Sequence, residues 1–202
     1  MANATTTQEL QASILAAAKE EFAREGLKGA RLQRIADVAN VPKATLLYHF
    51  KSKTKLYQAV LETILSSWDQ GFENLTPQSD PKVFFNQLIH AKVQAALLDP
   101  VASKLFAMEI MQGAPHLSSH LQQKVKPWFR QQVLVIEQWM LEGRLRSTDP
   151  ARLIFLIWAA TQHYADFQTQ VLSLMNRQEF DQALADETSE FLASFLLHGL
   201  DL

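Results

Sequence analysis

The chain has 202 residues, 48% of them hydrophobic, with six glycines and no cysteine. That length supports one large or two small domains with a proper core, and the absence of cysteine excludes a disulfide framework and a thiolate metal site. The net charge of −2 hides an asymmetry: residues 1–60 hold nine Lys/Arg against five Asp/Glu, and the remainder ten against sixteen. A basic N-terminal end on an acidic body suits a phosphate-binding module joined to a domain that does not bind nucleic acid. Charge alone could arise by scatter on solvated helices, so the motif below has to decide.

Residues 1–10, MANATTTQEL, have neither the basic region nor the apolar core of a signal peptide. The longest clean apolar run, residues 153–160, is eight residues long, far short of the ~20 needed to span a bilayer. A soluble cytoplasmic protein with no membrane partner is expected.

The periodicity is helical throughout, so the fold class is all-α, with about nine helices. The first helix runs from Thr7 or Gln8 to Arg24, with Leu10, Ile14, Ala17, Ala18 and Phe22 inward and Gly26 ending it. Leu32, Ile35, Ala36 and Ala39 give a short second helix that enters a turn at Asn40-Val41-Pro42. A third short helix carries Lys43, Thr45, Tyr48 and His49, and Ser52 caps a fourth, spanning 53–72. Residues 75–81, LTPQSDP, form a Pro-, Ser- and Asp-rich break. Helices are expected over 82–97, 101–111, 118–141 (bent at Pro127), 149–167 and 177–198. Asp149-Pro150 is a strong start signal, and Gly113 and Gly143 are stops.

Two short helices joined by a three- or four-residue turn form the helix-turn-helix unit, whose second helix is sized for the DNA major groove. The segments FAREG (22–26), IADVANV (35–41), Thr45-Leu46, Tyr48-His49-Phe50 and Lys51-Ser52-Lys53 resemble the TetR family of one-component regulators. Two positions depart from that family's pattern: Asn40 stands where a small glycine is usual, and Pro42 where a serine caps the reading helix. The resemblance implies a homodimer. Each subunit would hold an N-terminal DNA-reading domain (1–55, with connecting helix 53–72) and a C-terminal ligand-binding and dimerisation domain (73–202). Residues 103–117 and 153–167 resemble the pyrimidine-responsive members of the family, which implies a repressor released from double-stranded operator DNA by uracil or thymine. An activator, or a regulator of purine, amino-acid or efflux genes, is equally compatible with the DNA-reading motif.

On the DNA side, Thr45, Tyr48, Lys43 and His49 can reach base edges or phosphates, while Arg31, Arg34, Lys51, Lys53 and Lys55 flank them as backbone contacts. Phe50 is assigned to the core and Tyr48 to contact. On the ligand side, Trp158, Gln162 and Asp166 lie at i, i+4 and i+8 on one helix face, with His163 and Tyr164 beside them. Burying such polar groups unpaired costs about 1–3 kcal/mol each. A flat neutral heterocycle with N–H and C=O groups would satisfy them, and so would hydrogen bonds across a dimer interface. His116 and His120 are four apart but lack a third ligand in sequence, so no metal is expected. No GxSxG, P-loop, dinucleotide or HExxH motif is present. An enzyme using His163 and Asp166 as base and orienter therefore has no nucleophile or cofactor to support it.

Overall fold

A computed structural model describes residues 2–69 and 75–202. Among the described residues every regular element is helical: α1 (Ala2–Gly29), α2 (Leu32–Val38), α3 (Lys43–Phe50), α4 (Lys53–Asp69), α5 (Pro81–Leu98) and α6 (Pro100–Met111) come first. They are followed by α7 (Ser118–His120), a π-helical stretch (Leu121–Val125), α8 (Lys126–Leu141), α9 (Pro150–Asp166), α10 (Gln168–Leu174) and α11 (Gln182–Gly199). No described helix is long and apolar enough to cross a membrane.

The packing divides into two compact units: residues up to Trp68 with Lys104–Leu117, and Asp69–Ser103 with Ser118–Leu202. In the first, Ile14, Phe22, Ile35, Leu46, Leu56 and Leu61 are fully buried, and Phe22 meets Tyr57 edge to face at 5.0 Å. Glycine is required at position 26, where φ is +66° and ψ 172° kink α1 just before its last residues. The turn from α2 to α3 has Asn40 at φ +53°, a conformation that asparagine tolerates better than most residues. Pro42 holds extended backbone with ψ 138°, and its carbonyl accepts from Thr45 and Leu46. The reading helix therefore starts from proline's fixed dihedral without a side-chain cap. At the next junction the Ser52 hydroxyl accepts from Lys55 N at 3.1 Å, as its position in sequence predicts.

In the second unit α5 packs against both α11 and α9, and α8 against α9. Fully buried Trp139 anchors this core. Its indole N–H donates to Pro77 O at 2.9 Å, and Arg144 donates to Pro77 O and Ser79 O at 2.8 and 2.6 Å. The Pro/Ser/Asp break is thus tied down onto α8. Asp80, Asp149 and Asp181 each cap the following helix by accepting from the N–H three residues on.

Five features differ from the sequence expectation, the first being that α1 runs on past the kink at Gly26 to Gly29. Helix α1 begins at Ala2, so Thr7 lies within it; no Pro or Gly precedes Thr7 to stop the helix. The helix over 118–141 is continuous but passes through a π-turn at Leu121–Val125. Pro127 supplies no N–H and crowds the carbonyl four residues back, and a wider turn there relieves both. An extra helix, α10, follows a break at Phe167 (φ −114°, ψ 29°), which brings the described helices to ten when 118–141 counts as one. The last helix starts at Gln182 because Asp181 caps Leu184 at 2.8 Å. The end of the connecting helix expected at residues 70–72 lies outside the described residues.

Candidate functional site

The outward face of α3 follows from what its inner face buries. Leu46 has no exposure, whereas Tyr48 is 72% exposed, and Lys43 and Ala44 are exposed beside half-buried Thr45. Phe50 is half-buried. Lys51 closes the helix at φ +62°, which folds its side chain back. Its ammonium donates to Tyr48 O at 2.8 Å and lies 5.1 Å from the Tyr48 ring centre. A phenol and an ammonium are thereby presented together on one surface.

The other sequence-selected cations differ in how firmly they are held. Arg31 is exposed at the N-cap of α2. Lys53 donates to Lys28 O and Ala30 O, both at 3.0 Å, so its charge meets the carbonyl end of α1. His49 is half-buried, with Gln11 Nε2 3.3 Å from its Nδ1. Arg34 lies 3.4 Å from Glu21 Oε2.

Glu21 itself was not singled out by sequence. It is 4% exposed, accepts from Arg31 N at 3.2 Å and also pairs with Arg24. One carboxylate therefore fixes the start of α2 and orients two arginines. The signal was available: Glu21 is four residues from Ala17 and three from Ala18, on the face that sends apolar residues inward. A second buried carboxylate, Glu109 (1% exposed), accepts from Tyr57 Oη at 3.1 Å and His116 N at 2.6 Å. Burial first, and the Glu109 charge second, push the Tyr57 phenol above its ordinary range. His116 is held by Glu109, with Nδ1 to Oε2 at 3.3 Å, and no group of three or more metal-ligating side chains occurs among the described residues.

The four α9 residues selected from sequence do not share one set of contacts. Trp158 is half-buried and lines a narrow apolar cleft with Leu88, Trp128, Gln132, Ile154 and Ile157 among its walls. The Trp128 and Trp158 indoles stack at 6.2 Å with 14° between planes. Two turns along, Asp166 accepts from Ser103 Oγ at 2.5 Å. Burial raises the Asp166 carboxyl, opposed by that hydrogen bond and by the charges of Lys92 and His163. Burial likewise pushes the Lys92 ammonium down to about 8, with Asp166 opposing. Gln162 is half-buried, and His163 is exposed and stacks on Phe167 at 5.0 Å. Lys92, Ser103 and Gln132 were not selected from sequence; only tertiary packing brings α5, α6 and α8 to α9.

A helix-turn-helix with a cationic, aromatic outer face, joined to a helical unit with a cleft, defines a DNA-binding regulator. Residues 14–60 match the family described as bacterial regulatory proteins, tetR family, and residues 61–202 match that described as YcdC-like protein, C-terminal region. The chain belongs to the TetR family of transcriptional regulators, not to a class of enzymes. It is 37% identical to the HTH-type transcriptional regulator RutR of Escherichia coli over 93% of this chain and 89% of that one. Its fold is shared with the ketosteroid transcriptional regulator KstR2 of Mycobacterium tuberculosis (TM-score 0.75, 18% identity, 94% of each chain). It is shared also with AibR, solved with isovaleryl coenzyme A and operator DNA (TM-score 0.70, 14% identity, 92% of this chain and 97% of that one).

Proposed function

We propose that the protein is a homodimeric, cytoplasmic repressor that binds operator DNA through α3 and is released by a small planar effector of the uracil or thymine kind, controlling pyrimidine or nitrogen metabolism. The observation that carries this reading is the 37% identity to RutR running through both units over 93% of the chain, together with the pyrimidine-responsive resemblance of residues 103–117 and 153–167.

On the DNA side, Thr45 and Tyr48 meet base edges, with Lys43 and His49 beside them. Arg31, Arg34, Lys51 and Lys53 serve the phosphates or hold the reading head in place. On the effector side, Trp158 lines the cleft, and Gln162, His163 and Asp166 follow it along α9. A ring with alternating N–H and C=O groups seated against Trp158 would need them to turn toward it, Asp166 giving up Ser103 and His163 giving up Phe167. Dimerisation is supported by the exposed apolar rings on α9 and α11: Phe155, Phe191 and Phe195 are 53%, 62% and 71% exposed. Such rings are covered by a partner in a stable assembly.

The effector drives release only by binding more tightly to a dimer whose two DNA-reading domains are too far apart or too close to match half-sites about one DNA turn apart. Mobility-shift titration on the promoter of the neighbouring operon, with and without uracil, tests this. Uracil and thymine are expected to dissolve the complex. If another compound dissolves it and they do not, the pyrimidine assignment fails and the regulator stands.

A further inference from the structure

The cleft beside Trp158 contains a polar group that no described residue satisfies. Gln132 is 8% exposed, and its Oε1 is buried with no hydrogen-bond partner among the described residues. Every other described wall is an aliphatic or aromatic side chain, including Phe84, Phe85, Trp128 and Trp158. A buried amide oxygen without a partner costs about 1–3 kcal/mol. A leucine or methionine would pack α8 against α5 and α9 without that cost, so stability does not account for the glutamine.

Its placement is consistent with a ligand contact. Gln132 lies one helical turn from Trp128 on α8, and the Trp128 indole stacks on Trp158. A ring seated against either indole would therefore present its edge near the carboxamide. Among the described residues no charged side chain lines the cleft, which selects against ionised ligands, because an unpaired charge there would be strongly penalised.

We infer that Gln132 is the polar anchor of a binding site for a flat, uncharged heterocycle, whose ring N–H donates to Gln132 Oε1 while an indole covers its face. This deepens the effector reading above and rests on it: Trp158 belongs to both, and Gln132 supplies specificity that the α9 residues do not. In the present conformation the open space in the cleft, about 10 Å³, is no more than a single water needs. The ligand therefore enters by parting the aromatic walls.

Calorimetric titration of the full chain with uracil and with 1,3-dimethyluracil, which has no ring N–H, tests the inference. The wild type is expected to bind uracil at least about tenfold more tightly, the consequence of a lost buried hydrogen bond of about 1.4 kcal/mol. In Gln132→Met, which keeps the length of the side chain and removes the acceptor, uracil affinity is expected to fall to that of the dimethyl compound. A melting temperature at or above that of the wild type shows that the variant is folded.

Three results overturn the inference: no binding of uracil, equal binding of both compounds by the wild type, or a preference that survives in Gln132→Met. The last means that the amide holds only water. Operator release separates this inference from its foundation. Release by uracil from wild type and variant alike upholds the effector reading and sinks the Gln132 site. Gln132-dependent binding without release does the reverse.

Discussion

Replacing Glu21 probes how the reading head is built. Its carboxylate is 4% exposed, and it accepts from Arg31 N at 3.2 Å and faces Arg34 at 3.4 Å and Arg24. Glu21→Ala removes a charge-assisted hydrogen bond to a backbone donor, a loss of about 1.5–3 kcal/mol. The two arginine side chains are 49% and 56% exposed, so solvent screens their pairs and each adds less than about 1 kcal/mol. The total is about 2–4 kcal/mol. For a chain of this size each kcal/mol lowers the melting temperature by about 2–4 °C, so circular dichroism is expected to record a drop of roughly 5–15 °C. Glu21→Gln can still accept from Arg31 N but loses the charge, and should fall about midway. A Glu21→Ala protein within about 0.5 kcal/mol of wild type, or a glutamine variant as unstable as the alanine one, would refute the reasoning.

Tyr48→Ala is expected to leave stability within about 0.5 kcal/mol, because the side chain is 72% exposed, while weakening operator binding about tenfold or more in fluorescence anisotropy. Lys51→Ala should lower affinity for all sequences and reduce the salt slope by about one. Lys92 titrates at about 8 in the fold against an ordinary value of 10.5. Between those pH values the unfolded chain binds more protons and stability rises with pH. Wild type should therefore gain on Lys92→Met over this window, by up to about 3 kcal/mol in denaturant titrations. Phe191 and Phe195, stacked at 6.1 Å on the surface of α11, are expected to lie in the dimer seam, so Phe195→Asp should sediment as a folded monomer.

Much of the fold could be read in sequence because its signals are local. Apolar spacing places Ile35, Leu46 and Leu56 inside, and the caps at Ser52 and Asp149 depend on residues three positions away. The end of α9 near Phe167 is legible in sequence, but α10 beyond it is not: no Gly or Pro marks it off, and it is held by packing against α9, with Val171 buried. The same division runs through the site. The outward direction of Tyr48 follows from helical geometry, whereas the hold of Lys53 on Lys28 O and Ala30 O reaches across more than twenty residues. Lys92, Ser103 and Gln132 likewise meet α9 only through tertiary contacts. Nothing in their local sequence distinguishes Gln132 from a solvated glutamine.

The central claim is that the surface of α3 around Thr45 and Tyr48 reads duplex DNA. Footprinting of the chain on the promoter of its neighbouring operon tests this most directly. Two protected segments are expected, about one turn of DNA apart, both lost in the double variant Thr45→Ala/Tyr48→Ala while its melting curve stays unchanged. An intact footprint in that folded double variant, or no protection by the wild type at low salt, would contradict the claim.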